Sequence, residues 1–421
     1  MAFEYTERVA KMRIAIWHNL PSGGGKRALY NQIRGFLKRG HTVESWCPPT
    51  ADQTYFPFRE LVPEHVVPLD WASHEKESLW NRVVGSYREV VSLLRAMEKH
   101  CQACAQHIND AGFDLLFAGA CQFFRVTPIA QSVRLPTVLY LQEPYRWLYE
   151  ALPQLPWLAR PASPRIGPLS VYRSVQDLVR VQGLRIQARE ELKNARAYRQ
   201  ILVNSFFSRE SVLRAYGLDA RVCYLGIDTS TFVHEMRPRE PFVVSLGSMT
   251  EAKNARFVIE AVARLGEPRP PLIWIANAAN ASYRREMEEL ASSLKVRFEL
   301  RVLISDVELV DVLNRATMML YAPRLEPFGM APLEGNACGL PVIAVAEAGI
   351  RETIVDGVNG LFVDADPEAM ASAIRHLLDD DHHARALGEA GVRLVNERWS
   401  LGAAERRLEE HLEKVASCPQ R

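Results

Sequence analysis

Met318–Met319–Leu320–Tyr321–Ala322–Pro323–Arg324–Leu325–Glu326–Pro327–Phe328–Gly329–Met330–Ala331–Pro332–Leu333–Glu334–Gly335–Asn336–Ala337–Cys338–Gly339–Leu340–Pro341–Val342–Ile343–Ala344–Val345 runs from one short apolar segment to another. Two apolar runs of strand length flank a segment opened by Pro and Gly and carrying Ala, Leu and Glu at helical spacing, so it reads strand, loop, helix, turn, strand. That is a βαβ unit of a parallel sheet, with its crossover helix starting in a loop at the carboxyl end of a strand.

Glu326 and Glu334 are separated by Pro327 and Gly329, which place Glu326 in the loop and Glu334 one to two turns inside the helix. The backbone N–H groups of Gly329, Met330 and Ala331 lie between them at the helix start, where phosphate is favoured. Carboxylates accept hydrogen bonds from hydroxyl groups. The composite therefore fits hydroxylated rings joined by a phosphate bridge, and a nucleotide sugar is such a ligand.

The punctuation extends beyond this unit, through Gly349–Ile350–Arg351–Glu352 and Asp356–Gly357–Val358–Asn359–Gly360–Leu361. Together these residues resemble the donor-site signature of the retaining family 4 (group 1) glycosyltransferases of the GT-B fold. The resemblance implies two doubly wound Rossmann-like α/β domains with the active site in the cleft between them. It implies transfer of a sugar from a nucleoside diphosphate, UDP- or GDP-linked, to an acceptor such as a glycan or lipid-linked glycan.

The rest of the chain supplies counterparts. The strand Phe242–Leu246 runs into Gly247–Ser248–Met249–Thr250–Glu251–Ala252–Lys253–Asn254. This resembles the family's Gly–Arg–(x)₄–Lys–Gly turn, with Lys253 matching the diphosphate lysine, Ser248 in the arginine position and Asn254 in that of the glycine. Half the usual positive charge is missing there, and Arg324 is a candidate to supply it. After the strand Phe298–Leu303, at Leu303, the family places the nucleobase. Ser305 and Glu308 stand at capping-box spacing for the next helix.

In the amino-terminal half, strand Arg13–Trp17 leads through His18–Asn19–Leu20–Pro21–Ser22–Gly23–Gly24–Gly25 into a helix over 28–38. Such a turn lets a ligand approach backbone N–H groups, although glycines here are as often simple turn residues. Its match to the family's glycine-rich loop adds Gly23 and Gly24 to the donor-binding set. Strands over 113–118 and 137–141 follow, and the second leads into Gln142–Glu143–Pro144, where the family usually has His–x–Pro. Gln142 hydrogen-bonds but carries no proton. The resemblance thus makes Glu326, Lys253 and Gln142 the catalytic candidates. Glu334, Gly329, Met330, Ala331, Gly23, Gly24, Ser248, Arg324 and Leu303 are the donor-binding ones.

Length and composition agree. A chain of 421 residues suits two domains, with boundaries expected at 1–230 (acceptor side), 231–395 (donor side) and a 396–421 helix returning to the first. No apolar run reaches the roughly 18 residues of a membrane span, and the first eight residues lack a signal-peptide layout. A cytoplasmic address is expected, at most peripheral at the inner membrane face, with seven reduced cysteines.

No cofactor or metal is expected. His100, Cys101, Cys104 and His107 sit within two helical turns of a helical stretch over 79–110, with no second pair at zinc-finger spacing. Residues 151–168 hold five prolines and read as a loop.

Charge is divided. Residues 1–230 hold 29 Lys and Arg against 21 Asp and Glu, whereas residues 231–421 hold 22 against 29. Arg185, Arg189, Lys193 and Arg196 form one stripe on a helix over 169–199. An anionic or lipid-borne acceptor, with peripheral contact to an anionic membrane and no nucleic-acid partner, is the expectation from the basic first half; a solvated, self-paired helix face is the alternative. Rival functions on the same architecture are a nucleotide-sugar isomerase or epimerase and a catalytically silent subunit.

Overall fold

The computed structural model describes residues 11–71, 79–151, 154–158 and 167–417. Three of the five prolines of the 151–168 stretch, and the amino-terminal segment weighed for a signal peptide, lie outside them. The chain forms two compact units, one of residues up to 203, 209–222 and from 408 onward, the other of residues 204–208 and 223–407.

The first unit is built on a seven-stranded sheet of β1 (Arg13–Asn19), β2 (Thr42–Cys47), β3 (Glu64–Val66), β4 (Leu115–Cys121), β5 (Thr137–Tyr140), β6 (Gln200–Val203) and β7 (Arg221–Val222). The order is β3-β2-β1-β4-β5-β6-β7, and every pairing is parallel. From Ile14 to Asn19 and from Leu115 to Cys121 every residue is buried. A parallel sheet is covered on both faces, so its strands read as continuous rather than alternating apolar runs.

The helices of this unit are α1 (Gly24–Lys38), α2 (Leu79–Asp110), α3 (Arg146–Tyr149) and α4 (Pro168–Ala197), and the chain passes between units within α5 (Phe206–Tyr216). The stretch read as helical over 79–110 is a single helix of 32 residues, about 48 Å long. Helix α4, with 30 residues, is about 45 Å long. The two helices approach at Gly183, where an added Cβ would lie 3.7 Å from the Tyr87 backbone.

The second unit has a six-stranded parallel sheet of β8 (Val243–Leu246), β9 (Leu272–Ala276), β10 (Phe298–Val302), β11 (Met318–Tyr321), β12 (Val342–Val345) and β13 (Gly360–Val363), ordered β10-β9-β8-β11-β12-β13. Helices α6 (Ala255–Ala263), α7 (Ala281–Ser293), α8 (Asp306–Arg315), α9 (Met330–Ala337), α10 (Ile350–Thr353), α11 (Pro367–Asp379) and α12 (Asp381–Leu394) alternate with these strands or follow them. Val258, Trp274, Leu320, Ile343 and Ile374 belong to one buried core that joins strands to helices. Ser305 caps α8 in a full capping box with Glu308, as the spacing predicts.

The last helix is α13 (Leu401–Ala416). From Leu408 it belongs to the first unit, held there by Glu409, whose carboxylate receives His41 Nε2 at 2.7 Å and lies 3.4 Å from Arg39 Nε. Among the described residues no helix is long and apolar enough to cross a membrane.

Candidate active site

In an open α/β sheet, ligands bind beyond the carboxyl ends of the strands where the strand order reverses. In the second unit that point lies between β8 and β11. The two loops leaving these strands carry Lys253 and Glu326.

After β8 the backbone turns at Gly247 with φ +151°, and a Cβ there would lie 3.1 Å from Lys253 Cγ and Cδ. The lysine stem therefore rests on a bare glycine backbone. A short 3₁₀ turn, Glu251–Lys253, delivers it, and Asn254 follows at φ 57°. Asn tolerates this left-handed conformation better than most residues, which accounts for its presence where the family has glycine. Asn254 Nδ2 donates to the Ala322 carbonyl at 3.1 Å, and the Arg324 N–H donates to the Ala252 carbonyl at 2.8 Å. The loops are thus bonded to each other, and Lys253 Nζ donates to Glu326 Oε2 at 2.5 Å.

The loop holding Glu326 is braced from the β12 side. Leu325, at φ 50°, donates its N–H to Glu347 Oε1 at 2.6 Å, and Arg324 Nε lies 3.4 Å from Glu347 Oε2. The Gly349 N–H donates to the Glu326 carbonyl at 2.9 Å. A Cβ on Gly349 would come within 2.0 Å of the Pro327 carbonyl oxygen, so only glycine fits. Ser205 Oγ donates to that same carbonyl at 2.5 Å. Phe328 is 2% exposed and packs edge-on to Trp399 at 5.6 Å, beside Tyr224.

Gly329, at φ 92°, then opens α9 with no side-chain cap. The first-turn amides of Met330 and Ala331 carry the positive end of the helix dipole. Glu334 lies on the second turn and is 8% exposed. Ser248 Oγ donates to Asn277 Oδ1 at 2.8 Å, and Leu303 sits exposed at φ 57° beyond β10. The resemblance assigns Lys253 to the diphosphate and Glu326 to a sugar hydroxyl; the structure pairs the two side chains.

In the first unit the strand order reverses between β1 and β4. Beyond β1, Gly23 adopts φ 141° and Gly24 begins α1. Gln142 reaches this turn: a Cβ on Gly25 would lie 2.9 Å from both Nε2 and Oε1 of its amide. The sequence-derived residues Gly23, Gly24 and Gln142 are therefore neighbours.

Beneath them lies a buried group that no sequence signal disclosed. His18 Nε2 lies 3.1 Å from Glu64 Oε1, Cys47 Sγ is 3.7 Å from the same oxygen, and Lys26 is fully buried over the Phe58 ring at 4.3 Å. Burial, with Lys26 nearby, holds His18 below its ordinary pKa, and burial likewise lowers Lys26. Burial works to raise Glu64, but its hydrogen bond from His18 and the neighbouring charges outweigh it and hold the carboxyl low. The Cys47 thiol is pushed up to about 12, chiefly by burial.

The His18, Cys47 and Glu64 ligand atoms lie within 4.8 Å of one another and are the candidate metal group among the described residues. The Lys26 ammonium already balances the Glu64 charge, which weakens the case for a cation there. His100, Cys101, Cys104 and His107 do not converge as a set of four: His100 Nε2 lies 3.5 Å from Cys104 Sγ and receives the Trp17 indole N–H at 3.2 Å, whereas Cys101 is buried and His107 is exposed.

Residues 227–393 match the family model described as glycosyl transferases group 1. The match lies within the second unit. A D-inositol 3-phosphate glycosyltransferase of Xylanimonas cellulosilytica is 31% identical over 221 residues, covering 46% of this chain and 52% of that protein. A GDP-mannose-dependent alpha-(1-6)-phosphatidylinositol monomannoside mannosyltransferase of Mycolicibacterium smegmatis is 29% identical over 231 residues, covering 49% and 60%. The chain spans between half and three fifths of the length of these relatives. The solved sucrose-phosphate synthase of Thermosynechococcus elongatus superposes with a TM-score of 0.70 at 17% identity, covering 96% of this chain and 99% of that one. The fold, two parallel-sheet α/β units of the GT-B kind, is the one expected from the sequence.

Proposed function

We propose that the chain transfers a sugar from a nucleoside-diphosphate sugar to an acceptor, with retention of anomeric configuration and without a resident metal ion. The observation that carries this reading is the Lys253–Glu326 pair at the switch point of a group 1 unit. A lysine and an uncapped helix start, set on adjacent loops, suit the negative charge that develops on a departing diphosphate, and fixed donors aimed at such charge usually lower the barrier more than any other single contribution. In this assignment Lys253 and the amides of Gly329, Met330 and Ala331 meet the diphosphate, Glu334 the ribose hydroxyls and Glu326 a sugar hydroxyl. Arg324 and Ser248 flank the diphosphate and Leu303 the base. By resemblance, Gly23, Gly24 and Gln142 of the first unit take part in the same chemistry. The relatives above are named as transferases, which favours transfer over isomerisation.

The test begins with a thermal-shift screen of nucleoside diphosphates and nucleotide sugars, where ligand at 100 times its Kd adds about 2.7 kcal/mol. The stabilising donor is then offered with an acceptor panel in EDTA, and the product anomer is assigned by NMR. Nucleoside diphosphate release that needs an acceptor and survives EDTA supports the proposal. Loss of turnover in EDTA with rescue by one added metal overturns the metal-free part, and isomerisation of donor without acceptor overturns transfer.

A further inference from the structure

Among the described residues, helix α4 carries a solvent-exposed face that the proposed transfer does not use. Val171, Val175, Leu178, Gln182, Arg185, Arg189, Lys193 and Arg196 are all exposed, and at 100° per residue they fall within about 40° of one line along the helix. The first three are large apolar side chains, 58%, 41% and 71% exposed, and the last four are cations. No acidic residue lies on the line, although Arg189 pairs sideways with Glu190. Soluble helices keep apolar residues on the buried stripe; here the apolar and basic segments share the solvent-facing one, over about 38 Å.

A second feature points the same way. Between α2 and α4 lies a cavity of about 380 Å³, whose lining includes apolar Leu94, Met97, Phe124 and Ile186, the cations Arg95, Arg189 and Lys193, and the carboxylates Glu98 and Glu190. It is within the size range of ligand pockets. Apolar side chains beside three cations and two carboxylates, a net excess of positive charge, suit an amphiphile with an anionic head.

We propose that α4 docks the first unit on an anionic lipid surface, its 171–178 segment settling among the headgroups and its 185–196 segment lying on lipid phosphates. A polynucleotide would complement the cations but leave the apolar third exposed, and a second copy of the chain would set like charges together; a lipid surface satisfies both segments. The proposal stands apart from the transferase reading, because vesicle binding requires no turnover.

The experiment is co-sedimentation of the full chain with phosphatidylcholine vesicles, with and without phosphatidylglycerol, at low and high salt. The expected result is binding only to the anionic vesicles, weakened by salt. Replacing Arg185, Arg189, Lys193 and Arg196 by Gln lowers partitioning about fivefold per residue. Val175→Ser with Leu178→Ser retains low-salt binding but loses what survives high salt. Unchanged melting temperatures confirm folding, since every replaced side chain is exposed. No sedimentation with anionic vesicles at low salt overturns the proposal, as does undiminished binding by the four-residue variant. Displacement by heparin combined with indifference to the Ser variant also overturns it, in favour of a general polyanion site.

Discussion

Lys253 Nζ is hydrogen-bonded to Glu326 Oε2 at 2.5 Å, with the two side chains 26% and 14% exposed. The pair joins loops 73 residues apart in sequence and occupies the lysine that an anionic ligand would otherwise meet. The two partners should therefore respond differently to mutation. Lys253→Ala is expected to weaken nucleoside diphosphate binding by about 10- to 100-fold, the loss of one charge-assisted contact of roughly 1.5–3 kcal/mol. Glu326→Gln releases Lys253 and should leave nucleoside diphosphate affinity equal or higher while lowering turnover. Calorimetry on both variants decides, and equal weakening in the two would remove the assignment.

Gly349 is expected to tolerate no side chain. A methyl group there would meet the Pro327 carbonyl oxygen at 2.0 Å, so Gly349→Ala must displace the loop carrying Glu326. Nucleotide binding should fall at least tenfold and the melting temperature should drop. Gly266→Ala is the control, because nothing lies within 4 Å of its Cβ position. Binding and melting should stay as in the wild type there; normal binding in Gly349→Ala would show that the loop is not held as described.

Glu191, on α4, gives a pH prediction. It is buried, accepts from Gln187 Nε2 at 3.1 Å and the Tyr216 hydroxyl at 2.9 Å, and burial lifts its carboxyl from 4.5 to about 7. Between these values the folded state holds a proton that the unfolded state has lost, so this residue's contribution to stability falls as pH rises from 4.5 to 7. The total is about 3 kcal/mol at 1.36 kcal/mol per unit. Glu191→Gln removes that dependence: the variant should be the more stable protein at pH 8, with the advantage shrinking toward pH 5. Urea unfolding of both proteins across that range measures it, and parallel curves would contradict the assignment.

The βαβ unit of 318–345 and the turn at Lys253 were legible because strand-length apolar runs and Pro, Gly and Asn punctuation are local signals. Strand β3 was not, since three residues beside Pro63 offer no periodicity. The His18, Lys26, Cys47 and Glu64 group was hidden for a different reason: its members come from separate elements and only the sheet order brings them together. The charge stripe on α4 was visible in the sequence, but its continuation into exposed Val171, Val175 and Leu178 was not, because apolar residues at helical spacing normally mark a buried face.

Glu352 shows how much of the second unit's stability rests on such distant contacts. Its carboxylate accepts from the Phe206 and Phe207 N–H groups at 2.9 and 3.0 Å, 146 and 145 residues away, and from the Tyr224 hydroxyl at 2.9 Å. Phe206 and Phe207 begin α5, whose first N–H groups have no partner within the helix, so Glu352 serves as a cap delivered from another element. The hydroxyl of Tyr224 is held protonated, its pKa raised by burial and by Glu352 itself. Glu352→Ala strips three donors at once, one exposed and two part-buried, and the expected loss is about 2–3 kcal/mol, at roughly 1 kcal/mol for each bond lost to water. Glu352→Gln keeps one carbonyl acceptor and should recover about half of that. Tyr224→Phe removes a single bond and should cost about 1 kcal/mol. Urea denaturation of the three variants tests the order Ala, then Gln, then Phe; an alanine variant no less stable than the Tyr224→Phe protein would mean that α5 begins without help from Glu352.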